Sequence, residues 1–212
     1  KYEGTPEQWE EAQGVMKQIL DHIGLKYSIG IDEAAFYGPK LDIQIKNVHG
    51  KEDTLITIQI DMLLAKKFGM EYVDRDNTMK TPYIIHRTSL GCYERTLALI
   101  LEKYAGALPF WLAPTQAVIV PINSDCETYA NGVKEKLDEL GIRVEIDLRN
   151  ETMGKKIREA QLQKVPYVIV IGNNEIENGT VSLRARGGID LGSMSVDELA
   201  NKFVYEVATK KK

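Results

Sequence analysis

At 212 residues and 43% hydrophobic, the chain exceeds one average domain and carries enough apolar material for two modest cores. Its 27 basic and 31 acidic side chains leave a net charge of −4, which excludes a general polyanion binder but not a local basic face. Two cysteines without paired spacing, Cys92 and Cys126, exclude a disulfide framework or a Cys-x-x-Cys metal site, and a reducing, cytoplasmic setting is the expectation. No apolar run is long enough to span a bilayer, so no membrane partner is expected. The first residues lack a signal pattern, and the chain opens on Lys rather than Met almost directly into a helix, so a piece of something longer is expected.

Thr5-Pro6-Glu7-Gln8 combines an N-cap, a proline at the first helical position and Gln at the capping-box position, so a helix starts there. Trp9, Ala12, Met16, Ile19, Leu20 and Ile23 keep to one face until Gly24, which predicts a helix covering a sheet. From Tyr27 the period becomes two. Leu41, Ile43 and Ile45 alternate with Asp42, Gln44 and Lys46; after a turn at His49-Gly50, Ile56, Ile58 and Ile60 alternate with Thr57, Gln59 and Asp61. The hairpin therefore has a polar side that could floor a site. Ahead of it, Phe36-Tyr37-Gly38-Pro39-Lys40 forms a turn presenting an aromatic and a lysine.

Pro82 to Thr88 reads as a strand, Gly91 lets the backbone come close to something, and Thr96 to Tyr104 reads as an amphipathic helix. Glu94 and Arg95 sit at the junction. A guanidinium on a helix buried beside a sheet must stay paired or wet, and its planar fork suits a phosphate. The prolines of Gly106 to Pro114 mark a domain boundary, which divides the chain into 1–112 and 113–212. Beyond it come strand 117–122, helix 125–140, strand 143–148, helix 152–164 and strand 167–171. A hairpin turning at Glu177-Asn178-Gly179 then leads into a strand to Arg186, and Ser195 caps a last helix. Arg143, Arg149, Lys155, Lys156, Arg158 and Lys164 cluster in two adjacent elements, with Arg184 and Arg186 on the last strand, as a possible basic face for RNA.

The Gly-x-x-Glu-Arg segment resembles motif 3 of class II aminoacyl-tRNA synthetases, and the chain as a whole resembles the C-terminal part of the threonyl-tRNA synthetase family. Phe-Tyr-Gly-Pro-Lys, the Gln59-x-Asp61 strand, Ile-His-Arg and Trp-Leu-Ala-Pro carry that resemblance across both halves. It implies a mixed α/β fold: an antiparallel class II synthetase-type sheet with helices over 1–112, then an α/β anticodon-binding domain with a mixed sheet. It implies that Arg95, Tyr37, Lys40 and Gln59 are catalytic and that Arg95, Gln59, Gly91 and Cys92 surround ATP, which enters with Mg as a substrate. Cys92 departs from the Ser common in the family.

The resemblance further implies that His86 is one of three zinc ligands in the intact enzyme, whose Cys and His partners precede this chain; zinc is expected to be absent from this piece. Asn150, Glu175 and Arg184 are implied to contact anticodon bases. The implied partners are threonine and tRNA(Thr), with a homodimer as the intact assembly. Segments resembling motif 1, motif 2 or an editing domain are not found in the sequence, so the piece is expected to be inactive alone. Two alternatives stay open: a non-catalytic, synthetase-derived RNA-binding protein, and a relative of the prolyl enzyme.

Overall fold

The computed structural model describes residues 2–211, which divide into two compact units between Leu99 and Ile100. The division falls inside a helix, thirteen residues short of the expected proline boundary.

The first unit opens with α1 (Pro6–His22), started by the expected capping box, in which Thr5 and Gln8 satisfy each other's backbone N–H groups. Strands β1 (Lys40–Lys46) and β2 (Glu52–Asp61) form the expected hairpin. A short α2 (Leu64–Lys67) and a small hairpin, β3 (Tyr72–Val73) with β4 (Met79–Lys80), follow. β5 (Ile84–Arg87) then pairs antiparallel with β2, giving the sheet order β1-β2-β5. The helix α3 (Tyr93–Tyr104) starts three residues before the expected Thr96.

Two expectations need correction. α1 buries only Ala12 and Leu20, while Ile19 and Ile23 are 55% and 56% exposed. α3 buries no residue, and its Leu97 and Leu101 lie open. The amphipathic pattern is present in both helices, but the described part of this unit lacks the apolar surface that would cover it. Arg95 is exposed as well, so burial does not explain its presence.

The second unit includes a turn of 3-10 helix at Phe110–Leu112, whose Phe110 joins its core. Its elements are β6 (Ala117–Pro121), α4 (Glu127–Glu139), β7 (Val144–Ile146), α5 (Met153–Leu162), β8 (Tyr167–Ile171), α6 (Asn173–Asn178), β9 (Thr180–Ala185), β10 (Ile189–Ser195) and α7 (Val196–Ala208). The sheet order is β10-β9-β8-β6-β7; β7, β6 and β8 are parallel, and β9 and β10 are antiparallel additions. Alternation along β6 and β8 splits the core. Ile119, Ile169 and Ile171 pack with Leu137 of α4 and Phe203 of α7 on one face, while Val118, Val120, Val168 and Val170 pack with Ile157 and Ala160 of α5 on the other. Helices on both faces are why the parallel strands are near-continuous apolar runs.

The hairpin placed at Glu177-Asn178-Gly179 is also corrected. Those residues end α6, which Gly179 closes in the left-handed region at φ +64°. The real hairpin comes one connection later, between β9 and β10, where Gly187 and Gly188 both take positive φ.

Ile169 is fully buried between central strands, so Ile169→Ala should cost about 2–5 kcal/mol through lost burial and the cavity left behind. Urea unfolding followed through Trp111 in a Trp9→Phe background measures this; a loss below about 1 kcal/mol would mean the site collapses around the smaller side chain.

Candidate functional site

Pairing register assembles the polar face of the first sheet. Lys40 stands opposite Gln59 across β1 and β2, and Gln59 stands opposite His86 across β2 and β5, so three expected site residues lie in one row on one face. Tyr37 joins the row from the preceding turn, its hydroxyl donating to Gln59 Oε1. That turn is held by backbone bonds from Ile60 N–H to Pro39 O and from Met62 N–H to Tyr37 O. Gly38 comes so close that a Cβ there would lie 1.8 Å from the Ile60 carbonyl oxygen. Lys40 is ion-paired to Asp42, which also accepts from the Thr57 hydroxyl.

At the end of β2, on its polar side, lies a further residue whose role the sequence pattern does not reveal. Asp61 is 2% exposed. Its Oδ1 accepts the N–H groups of Leu63 and Leu64 at 2.8 and 2.9 Å, and its Oδ2 faces His86 Nε2 at 3.0 Å. Burial alone would raise this carboxyl; the Leu64 N–H, the His86 ring and the Leu63 N–H outweigh it and hold the group below its usual range. Among the described residues no group of three or more His, Cys, Asp or Glu side chains could hold a metal ion. His86 is nonetheless a half-exposed imidazole with a carboxylate behind one nitrogen, which suits a single ligand of a shared site.

The turn before α3 docks at the other end of β2. Gly91 has φ +65°, and a Cβ there would lie 2.1 Å from the Leu55 carbonyl oxygen, so the backbone is in contact where the sequence predicted a close approach. Arg95 Nη1 donates to the Thr54 carbonyl at 2.9 Å rather than pairing with Glu94. Cys92 donates its thiol to Glu94 at 3.0 Å, and that bond is the main reason the Glu94 carboxyl lies below its usual range. Leu55 and Gln59 are about 14 Å apart along the strand at the normal β rise.

In the second unit, most of the expected basic face is used internally. Arg143 donates to the carbonyls of Trp111, Ala113 and Pro114, beside a fully buried Gln116 that bonds Phe110 O and Arg143 N–H. Arg149 pairs with Asp147 and Glu159, Lys155 with Glu151, and Lys164 and Arg186 with the Ala105 and Leu108 carbonyls. Lys156 is buried and donates to Asp147 O, so it is unavailable to a phosphate. Among the described residues of that cluster, exposed Arg158 alone makes no hydrogen bond or ion pair.

Asn150 follows β7 and Glu175 follows β8, so both lie at the carboxyl edge of the parallel strands, where α/β sheets bind ligands. Glu175 spends one oxygen capping α6 through Gly172 N–H at 2.9 Å. Arg184 lies further down the sheet, in the row Asp190–Arg184–Val168–Val118 on the α5 face. Its guanidinium is 3.6 Å from Asp190, and its Nε is buried without a partner. No hydrogen bond or ion pair links Asn150, Glu175 and Arg184 to one another among the described residues.

Residues 2–104 match the family model of the tRNA synthetase class II core domain (G, H, P, S and T), and residues 116–206 match that of the anticodon binding domain. A class II aminoacyl-tRNA synthetase core followed by its tRNA-reading domain is what the two units define. The chain is 54% identical over 99% of its length to a threonine–tRNA ligase of Clostridium perfringens and 50% identical over its whole length to one of Clostridium botulinum. Its fold matches the crystal structure of the RNA binding domain of threonyl-tRNA synthetase from Cryptosporidium parvum at 38% identity and a TM-score of 0.85, over 96% of this chain and 52% of that one. The chain belongs to the threonyl-tRNA synthetase family and spans about a third (33%) of the length of the curated relatives it matches. The prolyl alternative falls with that result.

Two predictions follow from this geometry. Gly91→Ala clashes with Leu55 O and strains the backbone, so it should lower the unfolding midpoint followed through Trp9 in a Trp111→Phe background; an unchanged midpoint would mean that the turn does not dock on β2. Asp147 has a depressed folded pKa, chiefly through its hydrogen bond from Arg149, so its stabilisation is complete above the ordinary carboxylate pKa and is lost as pH falls through the lower, folded value. Asp147→Asn should therefore destabilise the chain at neutral pH and narrow to no difference in strong acid, as read by urea unfolding at several pH values.

Proposed function

We propose that this chain supplies the motif 3 side of the catalytic pocket and the anticodon reader of a threonine–tRNA ligase, which activates threonine with ATP and transfers it to tRNA(Thr). The observation carrying this reading is the row of Lys40, Gln59 and His86, joined by Tyr37, in a chain 54% identical to threonine–tRNA ligases. Arg95 would face the ATP phosphates, since most of its five donors have no partner among the described residues and a fixed guanidinium stabilises charge growing in the transition state. Gly91 and Cys92 shape the turn that brings it there, and Gln59, Tyr37 and Lys40 would line the adenylate. Mg enters with ATP.

His86 would be one of three ligands of a zinc ion. When bound, zinc offers an open position for the amino and hydroxyl groups of threonine, which tells it from valine. The other two ligands, the motif 2 arginine and the rest of the pocket would come from a longer protein, a homodimer acting in the cytoplasm. The open apolar faces of α1 and α3 support a larger core than this chain provides. The anticodon-binding domain would begin near Ala113, with Asn150, Glu175 and Arg184 reading bases. The part-exposed Arg184 side chain and the exposed Arg158 are what favour RNA here, since Lys155 and Lys156 are already engaged.

The polypeptide as it stands should not support threonine-dependent pyrophosphate exchange and should purify without stoichiometric zinc; a rate like that of an intact synthetase, or zinc lost on His86→Ala, contradicts this. Residues 100–212 should bind a threonine-tRNA anticodon hairpin more tightly than hairpins with altered anticodon bases. Arg184→Ala should cost about 1–3 kcal/mol on the cognate hairpin, whereas Arg158→Ala should weaken both alike and reduce the salt dependence. Equal binding of cognate and altered hairpins, unchanged by Arg184→Ala, would remove the anticodon assignment.

A further inference from the structure

We propose that Asp61 is a positioning residue for His86, fixing the neutral imidazole as the Nε2–H tautomer so that Nδ1 carries the free lone pair. The placement follows from register. Asp61 stands opposite Ile84, and His86 lies two residues further along β5 on the same face, so the two side chains are diagonal neighbours. Asp61 closes β2 and is locked where it stands: Oδ1 is taken by the N–H groups of Leu63 and Leu64, which leaves Oδ2 for His86 Nε2 at 3.0 Å. An ionised carboxylate can only accept, so the ring nitrogen facing it must be the donor. The proton on Nε2 leaves Nδ1 as the acceptor in the neutral ring, and Nδ1 has no hydrogen-bond partner among the described residues. The ring is further oriented by an edge contact with Tyr37, centroids 6.3 Å apart.

The inference deepens the reading of His86 as a metal ligand, since a carboxylate behind an imidazole sets which nitrogen is offered and in what direction. It also gives Asp61→Asn an unusual consequence. Two backbone N–H donors already point at Oδ1, so the amide must keep its oxygen there and turn its NH2 towards His86. Nε2 must then accept, and the ring proton moves to Nδ1.

The test is the side-chain 15N spectrum of this chain, which has 3 histidines, with the His86 signals assigned by their loss in His86→Gln. It is run at a pH where the His86 signals no longer change. The wild-type chain should show His86 as Nε2–H, and Asp61→Asn should invert the Nδ1 and Nε2 shifts with an unchanged circular dichroism spectrum. A wild-type ring found as Nδ1–H overturns the proposal whether or not the variant folds, and so does a folded Asp61→Asn that keeps the wild-type tautomer. The zinc reading fails separately: a longer protein that keeps its zinc in His86→Ala, while the tautomer inverts here as stated, loses the metal role of His86 and keeps the positioning role of Asp61.

Discussion

The pairing register of β2 is the constraint on which the first unit depends. Lys40, Gln59 and His86 share a row only because β1 and β5 pair with β2 at those positions. A slip of β2 by one residue would turn Gln59 and Asp61 to the apolar face and bring Ile58 and Ile60 up beside Lys40 and His86. Several local contacts hold the register at both ends of the strand. Gly38 packs against Ile60 O, Asp61 binds two N–H groups and His86, and Gly91 and Arg95 dock on Leu55 and Thr54. The same strand therefore carries both ends of the candidate pocket.

The second unit solves a different problem. Its parallel strands are covered on both faces, and their carboxyl ends open into loops bearing Asn150 and Glu175. Most of its cations are committed to carbonyls and carboxylates within the unit, Arg143 most completely. Discrimination in such a domain would rest on a few directed side chains, because cations whose donors are already bonded within the unit have few left to aim at bases.

Much of this was legible in the sequence. The period-two alternation of residues 41–45 and 56–61 gave the strands and their polar face, and the capping boxes at Thr5 and Ser195 gave helix starts that the structure reproduces. The need for Gly91 was readable because only glycine tolerates both a positive φ and a backbone neighbour. Other features were not. Amphipathicity says which face of α1 or α3 is apolar, not whether anything covers it. Lys156 looked like a surface cation because charge carries no mark of burial, and the Asp61–His86 bond joins residues 25 positions apart. The Glu177-Asn178-Gly179 turn signal was genuine chemistry assigned to the wrong partner, since a glycine in the left-handed region ends a helix as readily as it turns a hairpin.

The role of Arg95 depends on whether the junction of β5 and α3 serves phosphoryl chemistry. The most direct measurement is threonine-dependent ATP–pyrophosphate exchange by the full-length protein from the reading frame that encodes this chain, compared with its Arg95→Ala variant. Loss of a preorganised charge-stabilising group should lower the rate by roughly two or more orders of magnitude, with the fold retained. An Arg95→Ala variant that exchanges pyrophosphate at the wild-type rate would contradict it.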